Sequence, residues 1–382
     1  MSIIASILLT VFRLLAAVLV FGVIVVIHEW GHFIVAKLTD VQVNEFAIGM
    51  GPKLFGWGKG ETKYSVRLLP IGGYCAMEGE DAAGGGQVNT EAPVTDNPRA
   101  FYRKKVWQRM LITVAGAAMN LVLGFAILLA YFGVCTIPSA SGNTYYAGTA
   151  ISWQEENSVS AKSGLQVGDT ILRIDNKRVY SVFDIQSLLQ DSDDGVFEML
   201  VRRTVDGNEQ EIVLPAVQFT RTYNEETGRH ILQYDFKVNA IEQTVWSTIT
   251  QAARTECSVA VTVWRSLGGI LTGKYGLNDL SGPVGTVDII GDTVAGALNA
   301  ERWQIGLGDV LILIALLTVN VGIFNLLPIP ALDGGRLLFL IWEGITRKPV
   351  PPKYEAIVHA VGLVLLLLLI AVVTFSDVLK LF

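Results

Sequence analysis

Four long apolar runs set the organisation of the chain: about Ile3 to Val35, Val106 to Val134, Val310 to Leu332 and Ile357 to Phe375. Each approaches or exceeds the ~20 residues that a helix needs to cross the hydrocarbon core of a bilayer. The first is the longest, so it can tilt or emerge at one end. Between the first two runs, residues 38–105 are polar and rich in glycine. Within Phe46 to Tyr74, short alternating pieces such as Lys63-Tyr64-Ser65-Val66-Arg67-Leu68, punctuated by Gly and Pro, predict hairpins. Gly79 to Gly86 predicts a flexible linker. Past the second run the pattern becomes that of a soluble domain, residues 147–219. It predicts strands at Ile171 to Ile174, Phe197 to Arg202 and Gln210 to Leu214, and a helix at Val182 to Leu189. From 220 to 306 the chain reads as interfacial helices, because Ile241 to Ile270 repeats apolar residues at helical intervals with Trp246 and Trp264 as anchors.

The predicted fold class is therefore a polytopic α-helical membrane protein with four transmembrane helices, at 1–36, 106–134, 307–345 and 356–376. A membrane-associated, re-entrant β-hairpin region occupies 37–105, and one extracytoplasmic α+β domain occupies 147–219. Composition agrees with this: 51% of the 382 residues are hydrophobic and 17% charged, against roughly 25% charged in an average soluble domain, and the mean hydropathy is +0.45. Ten Lys and Arg between residues 37 and 109 put that loop in the cytosol. Both termini and the α+β domain then lie outside, and Arg347, Lys348 and Lys353 mark a second cytosolic loop. A net charge of −6 gives no reason to expect nucleic acid as a partner. Three cysteines, Cys75, Cys135 and Cys257, have no C-x-x-C spacing, which argues against a disulfide framework and a cysteine-based zinc site.

The candidate chemistry sits at the end of the first run, in Val25-Val-Ile-His28-Glu29-Trp-Gly-His32. Positions i and i+4 share a helix face, so His28 and His32 can offer imidazoles to one metal ion while Glu29 reaches a water beside it. Ionisable groups are costly in a membrane and mark functional sites. A pair of polar residues at the membrane interface is the alternative reading. In the second run, Gly116 allows close helix approach and Asn120 offers an amide in lipid; for Gly116, packing is the preferred reading. The third run ends in Asn325-Leu-Leu-Pro328-Ile-Pro330-Ala-Leu-Asp333-Gly-Gly, where two prolines must interrupt the helix. Asp333 is either an N-cap for a helix over Arg336 to Ile345 or the third metal ligand. With only four histidines in the chain, the ligand is the stronger reading. His359 reads as an ordinary polar residue on a helix face.

Taken together, His28-Glu29-x-x-His32, Gly116-x-x-x-Asn120, Ser281-Gly282-Pro283 and Asn325-x-x-Pro328-x-x-x-Leu332-Asp333-Gly334 resemble the site-2 protease family (M50), in particular bacterial RseP/RasP-type regulated intramembrane proteases. Ser163-Gly-Leu-Gln-Val-Gly-Asp169 in the soluble domain resembles a PDZ segment of bacterial proteases. The resemblance implies Zn2+ held by His28, His32 and Asp333, with Glu29 as the catalytic base. It implies that Asn325 helps to hold the substrate backbone, with Asn120 as the second candidate for substrate binding. The hairpins before Gly73 would present the substrate as an added strand. Substrates would be single-pass membrane proteins, such as anti-sigma factors or signal-peptide remnants, already shortened by another protease. The location would be the bacterial inner membrane. The proteobacterial protein that names the family has two PDZ domains where one is legible here, and Ala117 stands where the family often has proline. A PDZ-bearing receptor with a structural metal and a metal transporter are the rival readings.

Overall fold

The computed structural model describes residues 3–80, 96–134, 137–138, 144–190, 194–224, 229–276 and 281–380. Most of the linker expected at Gly79 to Gly86, and Cys135, lie outside the described residues. In chain order, α1 (Ile3–Leu38) leads to β1 (Val43–Trp57), β2 (Lys63–Met77) and α2 (Val106–Val134). Then come β3 (Ile137–Pro138), β4 (Thr144–Gln154), α3 (Val159–Lys162), β5 (Thr170–Ile174), β6 (Lys177–Arg178) and α4 (Val182–Gln190). Strands β7 (Val196–Val205), β8 (Asn208–Gln218), β9 (Arg221–Asn224), β10 (Arg229–Leu232) and β11 (Phe236–Glu242) follow. The chain closes with α5 (Val245–Leu271), α6 (Pro283–Leu298), α7 (Trp303–Leu326), α8 (Asp333–Thr346) and α9 (Pro352–Lys380). Two compact units result, Met1–Ile127 with Ser266–Phe382, and Leu128–Arg265.

In the first unit, α1, α2, α7 and α9 are long and apolar enough to cross a membrane. The 36 residues of α1 extend about 54 Å at 1.5 Å per residue, well beyond the ~30 Å hydrocarbon core. Along α9 the side chains of Leu365, Leu368 and Leu369 are exposed, which suits lipid as their solvent. Strands β1 and β2 pair antiparallel in a two-stranded sheet whose first half folds back on itself: Phe46 stands opposite both Cys75 and Tyr64, and Ile48 opposite Gly73. Phe46, Cys75 and Met77 bury against Ala36, Phe101 and Ile112, so the apolar face of the hairpin packs onto α1 and α2.

The break expected in the third run is present, but it starts earlier than the predicted span allows. Helix α7 ends at Leu326, because Leu327 precedes Pro328 and takes an extended conformation (φ −64°, ψ 143°). Helix α8 begins at Asp333 rather than near Arg336, and its N-cap is Leu332.

In the second unit, the main sheet runs β11-β4-β5-β7-β8, with β3 on β4 and β6 on β5. Ile151, Leu165, Ile171, Ile174, Leu189 and Phe197 form its core. The segment Ser163 to Asp169 is built around a buried ion pair: Asp169 is fully buried and meets Arg203 Nε at 2.6 Å, while Arg203 Nη2 also donates to the Gly164 carbonyl. Two expectations need correction here. The chain from 220 is not helical at first but forms β9, β10 and β11, and helix begins only at Val245. The sheet also does not end at 219, since β11 pairs with β4, Val238 opposite Ile151. Apolar alternation in these short strands is too brief to be told from a helical face.

Candidate metal centre

Helix α1 carries His28, Glu29 and His32 in its last three turns, and Gly31 between them lets α2 approach, since a Cβ there would run into the Ala115 carbonyl oxygen. Both imidazoles are buried. Their Nε2 atoms are 3.3 Å apart, and the rings meet edge to face with centroids 4.9 Å apart. Asp333, the first residue of α8, brings Oδ2 to 3.1 Å from His28 Nε2 and 3.3 Å from His32 Nε2. Asp333 is thus not the N-cap of α8 but a side chain turned into the site. Glu29 lies on the neighbouring face of α1, against the hairpin: a Cβ built on Gly73 would lie 3.3 Å from Glu29 Cγ and 2.9 Å from the Ala47 carbonyl.

The outer nitrogens of the two rings have partners on α2. His32 Nδ1 donates to the Ile112 carbonyl at 2.8 Å, so its Nε2 carries a lone pair. His28 Nδ1 lies 3.3 Å from the side-chain amide of fully buried Asn120. With the amide turned so that Oδ1, otherwise buried without a partner, faces the ring, His28 Nδ1 donates as well. Three acceptor atoms then converge, and Asp333 Oδ2 is itself a buried atom with no hydrogen-bond partner. Such a cluster is repulsive unless a proton or a metal ion sits within it. Ligands about 2.0–2.1 Å from a tetrahedral zinc ion lie about 3.3 Å from one another. The three separations here, 3.1, 3.3 and 3.3 Å, fit that requirement. Among the described residues, His28, His32 and Asp333 are the group able to hold a metal.

The other expected site residues fall in different places. Asn120, expected to bind substrate, has its side chain fully buried beside His28 Nδ1. Asn325, near the end of α7, donates from Nδ2 to the Val321 carbonyl at 3.0 Å, leaving its amide oxygen with capacity to spare. Gly116 has a larger part than general packing: a Cβ there would run into both imidazoles, 2.8 Å from His28 Cε1. His359, read from the sequence as an ordinary helix-face residue, accepts a hydrogen bond from Ala331 N–H at 2.9 Å. Nothing near it in the sequence signals this, because Ala331 is 28 residues away.

An ion pair also ties the hairpin to α8. Glu80, just past β2, pairs with Arg336, one turn after Asp333, and Arg336 lies over the Phe101 ring at 5.7 Å.

A family model described as Peptidase family M50 matches residues 16–369. A protein of Clostridium acetobutylicum, provisionally named a zinc metalloprotease, is 35% identical over 372 residues, covering 96% of this chain and 97% of the relative. Zinc metalloprotease RasP of Bacillus licheniformis is 30% identical over 438 aligned positions, covering 96% and 99%. Regulator of sigma-W protease RasP of Bacillus subtilis is 29% identical over 438 positions, covering 96% and 98%.

Proposed function

Because this chain belongs to peptidase family M50 and is a zinc metalloprotease, we propose that it is an endopeptidase that cuts single-pass membrane proteins within or beside their membrane span. The observation that carries this reading is the convergence of His28, His32 and Asp333 on one point, the two imidazoles being carried by a helix apolar enough to cross a bilayer. In this reading the three residues are the zinc ligands, with Asn120 and the Ile112 carbonyl fixing the two imidazoles. Bound zinc supplies a water of lowered pKa and polarises the scissile carbonyl. Glu29 takes the proton from the attacking water and passes it to the leaving amine.

A substrate helix hides its amides in its own hydrogen bonds and must unwind before cleavage. The strand around Gly73 lies against Glu29, so a substrate segment added there as a further strand would pass the base with its amides partnered. In this reading the spare oxygen of Asn325 accepts from the substrate backbone. The basic loop carrying the hairpin is cytosolic, and the second unit is extracytoplasmic and PDZ-like, excluding or recruiting substrates by their outer parts. The bacterial inner membrane is the setting. One relative is named a regulator of sigma-W, which points to membrane-anchored regulators such as anti-sigma factors, pre-cut by another protease, as the substrate class. Glu29→Gln tests the assignment. The variant should keep stoichiometric zinc and lose cleavage of a model single-span substrate by at least about 100-fold; turnover near wild type would overturn it.

A further inference from the structure

We propose that His359 is a positioning residue for the metal centre: by one hydrogen bond to the backbone of the break at 327–332, it fixes where α8 starts and so where the Asp333 carboxylate points. The inference rests on the reading of Asp333 as a zinc ligand. The break is short of donors, since Pro328 and Pro330 have no N–H, and lipid offers no partner to a free one. The Ala331 N–H goes to His359 Nδ1 on α9, at 2.9 Å. Ala331 itself sits at φ +77°, a conformation that a residue with a Cβ holds only where its surroundings over-determine it.

The same helix clasps the break at a second point. Gly362, nearly one turn beyond His359, lies so close to Pro330 that a Cβ would come within 2.8 Å of the Pro330 carbonyl oxygen. The ring is held in turn by Phe339 of α8, at 5.7 Å between centroids. The N-cap of α8, Leu332, makes no side-chain capping bond, and the ion pair of its first turn, Arg336 with Glu80, lies three residues past Asp333, so the chain just before Asp333 is held from α9. Asp333 follows Ala331 by two residues, so freedom at Ala331 becomes displacement of Oδ2 from the two Nε2 atoms it faces. Since Nδ1 accepts, the ring proton is on Nε2, which is buried without a partner among the described residues, so the one hydrogen bond the ring makes is as an acceptor at Nδ1. Asparagine puts its side-chain oxygen close to where Nδ1 stands, whereas glutamine puts it about where Nε2 stands.

The experiment measures zinc affinity of the purified full-length chain by competition with a chelator. It compares wild type, Asp333→Ala, His359→Leu, His359→Asn and His359→Gln, with the absorption spectrum of the Co2+-substituted forms as a readout of ligand geometry. His359→Leu and His359→Gln should weaken zinc binding about 10- to 100-fold and alter the Co2+ spectrum, while His359→Asn stays within about threefold of wild type. If His359→Leu yields no folded protein, the Asn and Gln pair decides alone. Asn and Gln variants that bind equally, or a Leu variant that binds like wild type while Asp333→Ala does not, would overturn the inference and leave the ligand set standing. Wild-type affinity in Asp333→Ala would remove the ligand set, and the inference with it.

Discussion

His28 and His32 touch the metal position with Nε2 only because Nδ1 of each ring is committed elsewhere, one to the Ile112 carbonyl and one to Asn120. The spacing that brings the rings together is local and was legible in His28-Glu29-x-x-His32, since a helix repeats every 3.6 residues. Asp333 is singled out in the sequence because a zinc site needs a third ligand and the chain has only four histidines, and its Oδ2 lies 3.1 and 3.3 Å from the two Nε2 atoms. The surroundings of Asn120, Gly116 and His359 were not legible, as each meets residues from a distant part of the chain. Gly116 gives a direct test. A methyl group there would run into both imidazoles, so Gly116→Ala should lower zinc affinity about 10- to 100-fold while helix content by circular dichroism is unchanged. Zinc binding equal to wild type would mean that the rings do not pack on α2 as described.

The hairpin is the element that brings backbone to Glu29, the proposed base. Its existence was legible from the alternating residues between Phe46 and Tyr74, but the fold-back that gives Phe46 two neighbours was not, because register depends on partners far along the chain. The strands β9 to β11 were missed because their apolar alternation is too brief to be told from a helical face. Gly73→Val should push β2 off Glu29 and cut kcat by roughly 100-fold, the cost of about 1 Å of misplacement, with zinc content retained; unchanged kcat would place the base elsewhere.

The turn of this hairpin is anchored by Glu61, which meets Arg99 Nη1 and Lys37 Nζ at 2.6 Å each. Hydrogen bonds from Arg99, then Lys37, hold the Glu61 carboxyl down from its ordinary 4.5 to about 2. A depressed carboxylate pKa stabilises the folded state above the unfolded value and loses that effect as pH falls towards the folded one. Amide-exchange protection in β1 and β2 should therefore be flat from neutral pH to about 5 and fall between about 4.5 and 2. Glu61→Gln should abolish that step; the same acid profile in the variant would assign the step to another group.

At the scale of the whole molecule, the reading as a membrane enzyme rests on four helices that leave apolar side chains exposed along their length. Composition made this the most legible property of all, because lipid imposes it on every residue of a span rather than on a few contacts. The polar links between helices are few and specific: Arg13 of α1 pairs with Asp288 and Asp292 of α6, and Arg109 of α2 with Glu343 of α8. None of these pairs was legible, as their members lie more than 200 residues apart. For a protease acting on membrane spans, cleavage in vesicles should require a substrate with a spanning segment and should fall as its outer domain is enlarged. Equal turnover of a soluble peptide containing the same bond would contradict the intramembrane reading.

The most direct measurement is zinc K-edge X-ray absorption on the metal-loaded full-length protein, with Asp333→Ala beside it. Two imidazole nitrogens and at least one carboxylate oxygen at about 2.0–2.1 Å, with the loss of an oxygen scatterer in the variant, are the predicted result. Sulfur scattering near 2.3 Å, or a coordination shell that Asp333→Ala leaves unchanged, would contradict the account.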